Sequence, residues 1–230
     1  MKVKICGITN LEDARAAIEA GADMLGFVFY PTSPRYVEPE TAATIIDALI
    51  TDHTSRIPHP ASRIPAQFVG VFVDEQVSRV REILDLCHLH LVQLHGSEPP
   101  AEVRMLQPWA YKALRPRQRG DAEAAVATYA PVTGTSPNRP AFLIDAYHPW
   151  QFGGTGETTD WIAAKVVAWR YPILLAGGLI PENVADAIRL VEPWGVDVSS
   201  GVEAEPGKKD HRKVQAFIEA AKSVDVRRDL

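Results

Sequence analysis

Strand-like apolar runs alternate with amphipathic segments eight times along the 230 residues, and that rhythm limits the folds open to the chain more than any other feature. The runs fall near 2–6, then at Met24–Phe29, Phe68–Val73, His90–Leu94, Tyr111–Leu114, Ala141–Asp145, Ile173–Ala176 and Val196–Ser199. Strands that are apolar almost throughout belong to parallel sheets covered by helices on their outer face. Eight such units in about 220 residues match the usual size of a (β/α)8 barrel. The sequence therefore predicts a single barrel domain over 1–230, with an open doubly wound sheet as the competing architecture.

The segments between the runs carry helix signals. Asn10 is a good N-cap with Glu12 and Asp13 behind it, and Gly21 suits the end of that helix. Pro39 and Pro181 suit first helical turns, and Asp74 and Asp210 are candidate N-caps. Two stretches interrupt the rhythm: Thr51–Ala66, with Ser-Arg-Ile-Pro repeated at 55–58 and 62–65, and Pro131–Pro140. Both follow helices, so both are expected as surface loops on the face of the barrel away from the site.

Composition excludes several function classes. A formal net charge of −5 argues against bulk electrostatic binding of nucleic acid. No apolar stretch is long enough to span a membrane, and Met1-Lys2-Val3-Lys4 runs into a strand with no signal-peptide apolar region. Two cysteines make no disulfide framework, so a reducing cytoplasm with free thiols is the expected setting. A monomer and a homodimer are equally compatible with the chain.

In such barrels the loops after the strands build the active site. Cys6 ends the first strand, just before Gly7, and is either a packed thiol or a reactive one. Asp145 ends the sixth strand and is either a loop-stabilising carboxylate or a proton donor. Arg35 and His95 follow strands two and four. Gly177-Gly178 follow the seventh strand and Ser199-Ser200-Gly201 the eighth, where barrels often bind phosphate through backbone N–H groups. Gly153–Gly156 is a candidate lid or a plain flexible loop. Cys87 continues an apolar helical face and is expected in the core, whereas Asp197 points either into the barrel or toward its helices.

The chain resembles the phosphoribosylanthranilate isomerase family of tryptophan biosynthesis. The resemblance is carried in order by Lys4–Thr9, Gly26–Phe29 with Ser33–Tyr36, Gly70–Val73, Val92–Gly96, Ala176–Leu179 with Pro181–Val184, Val196–Glu203 and Pro206–Asp210. It covers nearly the whole chain and fades at 51–66 and 131–140. It implies a (β/α)8 barrel with no metal or organic cofactor, acting on a phosphorylated aminosugar. The implied reaction is the Amadori rearrangement of N-(5'-phosphoribosyl)anthranilate to 1-(2-carboxyphenylamino)-1-deoxyribulose 5-phosphate. It also implies Cys6 as general base, Asp145 as general acid and Arg35 as the group that grips the substrate carboxylate.

The chemistry fits those residue types. The ring oxygen must gain a proton as the sugar opens to an iminium, and the sugar C2 must then lose one, so an acid and a base on opposite sides of the sugar suffice. A carboxyl of ordinary pKa near 3.9 must be raised to act as the acid, and a thiol near 8.5 must be lowered to act as the base. Helix N-termini at the mouth or the substrate iminium could favour the thiolate. The related histidine-pathway isomerase resembles a duplicated half-barrel with an aspartate where this chain has Cys6. Indoleglycerol-phosphate synthase relies on barrel lysines not found at these strand ends. A metal-dependent epimerase needs strand-end His/Asp ligands, and the seven histidines are not so arranged. A catalytically silent barrel that binds a sugar phosphate is the reading outside enzymology.

Overall fold

The computed structural model describes residues 1–56, 66–116, 120–134, 136, 138–145 and 159–225. Eight strands run in chain order: β1 (Lys2–Cys6), β2 (Met24–Val28), β3 (Gln67–Phe72), β4 (Leu91–Leu94), β5 (Ala110–Leu114), β6 (Phe142–Asp145), β7 (Ile173–Ala176) and β8 (Gly195–Val198). Each pairs in parallel with the next, and β8 closes on β1 through Val3↔Val196 and Ile5↔Val198, so the sheet is a closed barrel. Helices follow every strand: α1 (Leu11–Glu19), α2 (Pro39–Arg56), α3 (Val77–Leu86), α4 (Pro100–Met105), α5 (Asp121–Thr133), α6 (Thr159–Ala168), α7 (Val184–Val191) and α8 (His211–Lys222). Between β8 and α8 lie a 3-10 turn, Ser200–Val202, and a small antiparallel pair, β9 (Glu203–Glu205) with β10 (Lys208–Lys209).

Strand alternation divides the core in two. Val3, Ile5, Leu25, Phe27, Phe68, Val196 and Val198 face the helices and form the larger apolar layer. Met24, Val69, Leu91, Tyr111, Leu143 and Leu174 fill the barrel interior. The same alternation sends Lys4, Cys6 and Asp197 inward, which settles the direction of Asp197. Lys4 is fully buried there, and its Nζ lies 3.1 Å from Asp197 Oδ2.

Several helix ends are as expected. Asn10 accepts a hydrogen bond from Asp13 N, and Asp210 accepts from Arg212 N and Lys213 N. Gly21, at φ +99°, ends α1 in the left-handed region that glycine tolerates. Others differ. Asp74 does not cap α3: its carboxylate accepts from Ser97 N and its own N–H donates to Glu98, tying the β3 loop to the β4 loop. Pro181 lies in a turn that precedes α7, and Asn183 holds that turn through Ile180 N and Gly178 O.

Both expected surface loops are partly helical. The helix α2 runs on through Arg56, past Thr51, where the loop was expected to begin. The helix α5 continues through Pro131 to Thr133, although proline removes one helical N–H. Arg139 donates to Thr133 O, Gln107 Oε1 and Ala110 O, so the last turn is stapled onto β5.

Candidate active site

Cys6, Arg35 and Ser199 converge on one glycine. Gly7 sits at φ +77°, and a Cβ there would meet Arg35 Cδ at 2.8 Å and Ser199 Oγ at 3.0 Å. Ser199 Oγ donates to Cys6 O at 3.1 Å, so the end of β8 is fastened to the end of β1. Gly26 on the neighbouring strand makes the corresponding space from the other side. A Cβ at Gly26 would lie 2.8 Å from Cys6 Sγ and 3.0 Å from Lys4 Cε. Cys6 is 8% exposed at the mouth, whereas Cys87 is fully buried, its thiol donating to Pro39 O. The two thiols thus separate as expected, one lining the mouth and one packed in the core.

Burial pushes the Cys6 thiol up from its ordinary value and Asp197 adds to this, while Lys4 and Lys209 oppose it by favouring the thiolate. Two buried lysines thus bring positive charge to the thiol. Burial disfavours the charged form of Lys4, but Asp197, with Cys6 and Tyr111, outweighs it and holds Lys4 protonated above the usual lysine range.

Arg35 is held by a protein carboxylate. Its Nε and Nη2 donate to Glu203 at 2.8 and 2.7 Å, a bidentate pair. Glu203 also accepts from Lys209 Nζ at 2.9 Å. Burial raises the Glu203 carboxyl, but the hydrogen bonds from Arg35 and Lys209 win and hold it below its ordinary value. The β9–β10 pair that carries Glu203 and Lys209 is anchored to the start of α1: Thr9 Oγ1 donates to Gly207 O, and Asp13 accepts from Lys209 N.

Across the mouth, β6 stands three strand steps from β1 round the ring. There His95 Nε2 lies 3.9 Å from Asp145 Oδ2. His95 Nδ1 lies 2.7 Å from Gln93 Nε2, and Arg115 donates to His95 O. Burial, reinforced by Arg115, Lys4 and Lys112, lowers the imidazole pKa to about 3, so His95 is neutral. On the remaining side the β7 and β8 loops touch: a Cβ at Gly201 would run into the carbonyl oxygen of Leu179. Gly177 and Gly178, at φ +94° and +62°, turn the chain next to that contact. Gly153–Gly156 lie outside the described residues.

Every site residue expected from the sequence therefore stands at the carboxyl-terminal end of the barrel, in three groups round the mouth. Lys4, Gln93, Glu203 and Lys209 complete the site and were not singled out. For the first two the signal was present in the sequence. Lys4 precedes Cys6 by two residues and Gln93 precedes His95 by two, so each shares an inward face with its partner. Lys4 and Lys112 lie in the middle of β1 and β5, each in a buried ion pair, with Asp197 and Glu98 respectively.

Fold and site together define a (β/α)8-barrel enzyme with its chemistry at the carboxyl-terminal mouth. Residues 3–220 match the family model described as N-(5'-phosphoribosyl)anthranilate (PRA) isomerase. The chain is 47% identical over 223 residues to the N-(5'-phosphoribosyl)anthranilate isomerase of Geobacter sp. (strain M21), covering 97% of this chain and 98% of that one. It is similar in structure to phosphoribosyl anthranilate isomerase from Thermotoga maritima, with a TM-score of 0.79, 41% identity, and 97% of this chain and 100% of that chain covered. It is also similar to a phosphoribosyl anthranilate isomerase in complex with reduced 1-(o-carboxyphenylamino)-1-deoxyribulose 5-phosphate, with a TM-score of 0.77, 38% identity, and the same coverage of 97% and 100%. The chain belongs to the N-(5'-phosphoribosyl)anthranilate isomerase family.

Proposed function

We propose that this barrel catalyses the Amadori rearrangement of N-(5'-phosphoribosyl)anthranilate to 1-(2-carboxyphenylamino)-1-deoxyribulose 5-phosphate, the isomerase step of tryptophan biosynthesis. The observation that carries the reading is the pairing of Cys6 with Asp145 from strands three steps apart on one barrel mouth. Asp145 gives a proton to the ring oxygen as the anilino nitrogen expels it, leaving an open-chain iminium. Cys6, as thiolate, takes the proton from C2 and gives an enolamine. Loss of the enol hydroxyl proton and uptake of one at C1 complete the ketone with no net change in protons.

Lys4 and Lys209 supply part of the charge that the thiolate needs. The iminium adds the rest, so substrate binding completes the activation of Cys6. Arg35 receives the anthranilate carboxylate on its outer edge, formed by Nη1 and the second Nη2 hydrogen, because Glu203 occupies the Nε edge. The phosphate rests on backbone N–H groups of the Gly177-Gly178 and Ser199-Ser200-Gly201 loops, beside the short turn Ser200–Val202. His95 lines the pocket next to the acid.

Among the described residues no helix is long and apolar enough to cross a membrane. We place the enzyme in the cytoplasm as one barrel domain, monomer or homodimer, where Cys6 stays a free thiol. Adding the purified protein to N-(5'-phosphoribosyl)anthranilate and following loss of its fluorescence tests the activity. Turnover supports the isomerase. Tight binding of the product without turnover would point to a catalytically silent sugar-phosphate barrel.

A further inference from the structure

Gln93 sits between the barrel interior and the mouth, and each of its amide atoms has a defined neighbour. Lys4 Nζ lies 2.8 Å from its Oε1, Tyr111 Oη lies 2.8 Å from the same oxygen, and His95 Nδ1 lies 2.7 Å from its Nε2. An ammonium has three donors and no acceptor, so the amide atom facing Lys4 must be the oxygen. Asp197, 3.1 Å from Lys4, keeps that ammonium charged. The amide nitrogen is then compelled to face His95, and an NH2 group only donates. His95 Nδ1 must accept, and in a neutral imidazole the proton then resides on Nε2. Nε2 is the atom that lies 3.9 Å from Asp145 Oδ2.

We infer that Asp197, Lys4 and Gln93 form a polar relay through the barrel core that locks His95 in its Nε2–H tautomer, making His95 the positioning residue for Asp145. A proton donor aimed at Asp145 stabilises the carboxylate that remains once the acid has given its proton to the sugar. The opposite tautomer would present a lone pair to that carboxylate and repel it. The relay rests on geometry and does not depend on His95 titrating. Among the described residues the charged groups around the ring are Arg115 and Lys112 from β5 and its loop, Lys4 from β1 and Asp145 from β6. The three cations all disfavour the imidazolium, which keeps a single neutral form in place. The kinetic consequence rests on the isomerase reading, whereas the tautomer does not.

Gln93→Glu tests the relay because it keeps the shape and reverses one hydrogen bond. One carboxylate oxygen still meets Lys4 and Tyr111, and the other faces Nδ1 as an acceptor. His95 must then put a proton on Nδ1. Long-range 1H–15N correlation spectra at pH 7 read the ring directly. Wild type is expected to give the Nε2–H pattern and Gln93→Glu the Nδ1–H pattern; an imidazolium in Gln93→Glu keeps the Nε2–H, and the Gln/Asn pair at position 95 then decides. Turnover should fall about 10- to 100-fold in kcat with KM nearly unchanged, a share of the 10²–10⁴ that positioned proton transfer contributes. His95→Gln, whose amide can hold an N–H near the Nε2 position, should retain several-fold more kcat than the shorter His95→Asn.

A wild-type spectrum with the proton on Nδ1, or on both nitrogens, overturns the relay whatever the kinetics. So does a switched tautomer in Gln93→Glu with wild-type kcat. If Gln93→Glu does not fold, the wild-type spectrum and the Gln/Asn pair at position 95 decide. Absence of turnover by wild type would overturn the isomerase reading alone and leave the tautomer standing.

Discussion

Gly26→Ala places a single methyl group against the thiol and the lysine at once. The added Cβ would lie 2.8 Å from Cys6 Sγ, 3.0 Å from Lys4 Cε and 3.2 Å from Cys6 Cα. Comfortable separation for such atoms is roughly 3.5–4.0 Å, so the overlap is about 0.7 Å or more at the sulfur. Neither backbone nor lysine can yield. Cys6 Cα belongs to a barrel strand, and the Lys4 head is fastened to Asp197 and Gln93. The sulfur must therefore swing away. Overpacking of this kind costs about 1–3 kcal/mol, and the gain from replacing a strand glycine, about 0.5–1 kcal/mol, offsets part of it. A net loss of about 1–2 kcal/mol is expected in urea unfolding. A catalytic group displaced by about 1 Å can lose on the order of 10²-fold in rate. The assay is urea unfolding beside kcat from loss of substrate fluorescence. Wild-type stability and wild-type kcat together would refute the packing argument and the role of Cys6 with it.

Lys4→Met leaves Asp197 buried without its cation and should cost about 3–5 kcal/mol in urea unfolding. It should also raise the pH at which Cys6 reacts with iodoacetamide, since the largest opposing influence on that thiol is removed. For Glu203 the folded pKa lies below its ordinary 4.5, so its ionised form stabilises the fold above about pH 4.5. That contribution fades as pH falls through the folded pKa. The stability gap between wild type and Glu203→Gln should therefore narrow from pH 6 to pH 3, and a constant gap by urea midpoint would contradict the pairing with Arg35 and Lys209. Cys87 is fully buried whereas Cys6 is 8% exposed at the mouth, so native alkylation followed by mass spectrometry should label Cys6 first. Cys87→Ala should keep wild-type kcat.

Much of the barrel is legible in local patterns. The apolar runs place all eight strands to within a residue or two, because each is buried on both faces and little polar alternation confuses its ends. Asn10 and Asp210 are readable as caps because the capping bond spans only two or three residues. What escapes local reading depends on partners distant in sequence. Asp74 has the right type and place for a cap, yet Ser97 and Glu98 claim it. Pro131 reads as a helix stop, yet α5 runs on to Thr133, where Arg139 ties the last turn to Ala110 and Gln107.

The same division holds at the site. Cys6, Asp145 and His95 are visible as strand-end residues, since the ends of barrel strands are where chemistry sits. Lys4 and Gln93 lie one layer deeper, and their meaning appears only when β1, β4 and β8 close round them. Arg35 is visible as a cation near the mouth, but its orientation is set by Glu203, which lies 168 residues away in the chain.

Turnover by Cys6→Ser and Asp145→Asn, measured beside the affinity of each variant for the reduced product analogue, bears most directly on the assignment of base and acid. Each variant should lose about 10²–10⁴ in kcat, the usual contribution of a positioned proton-transfer group, while binding the analogue nearly as tightly as wild type. Undiminished turnover by either variant would contradict the pairing of a thiol base with a carboxyl acid across this barrel mouth.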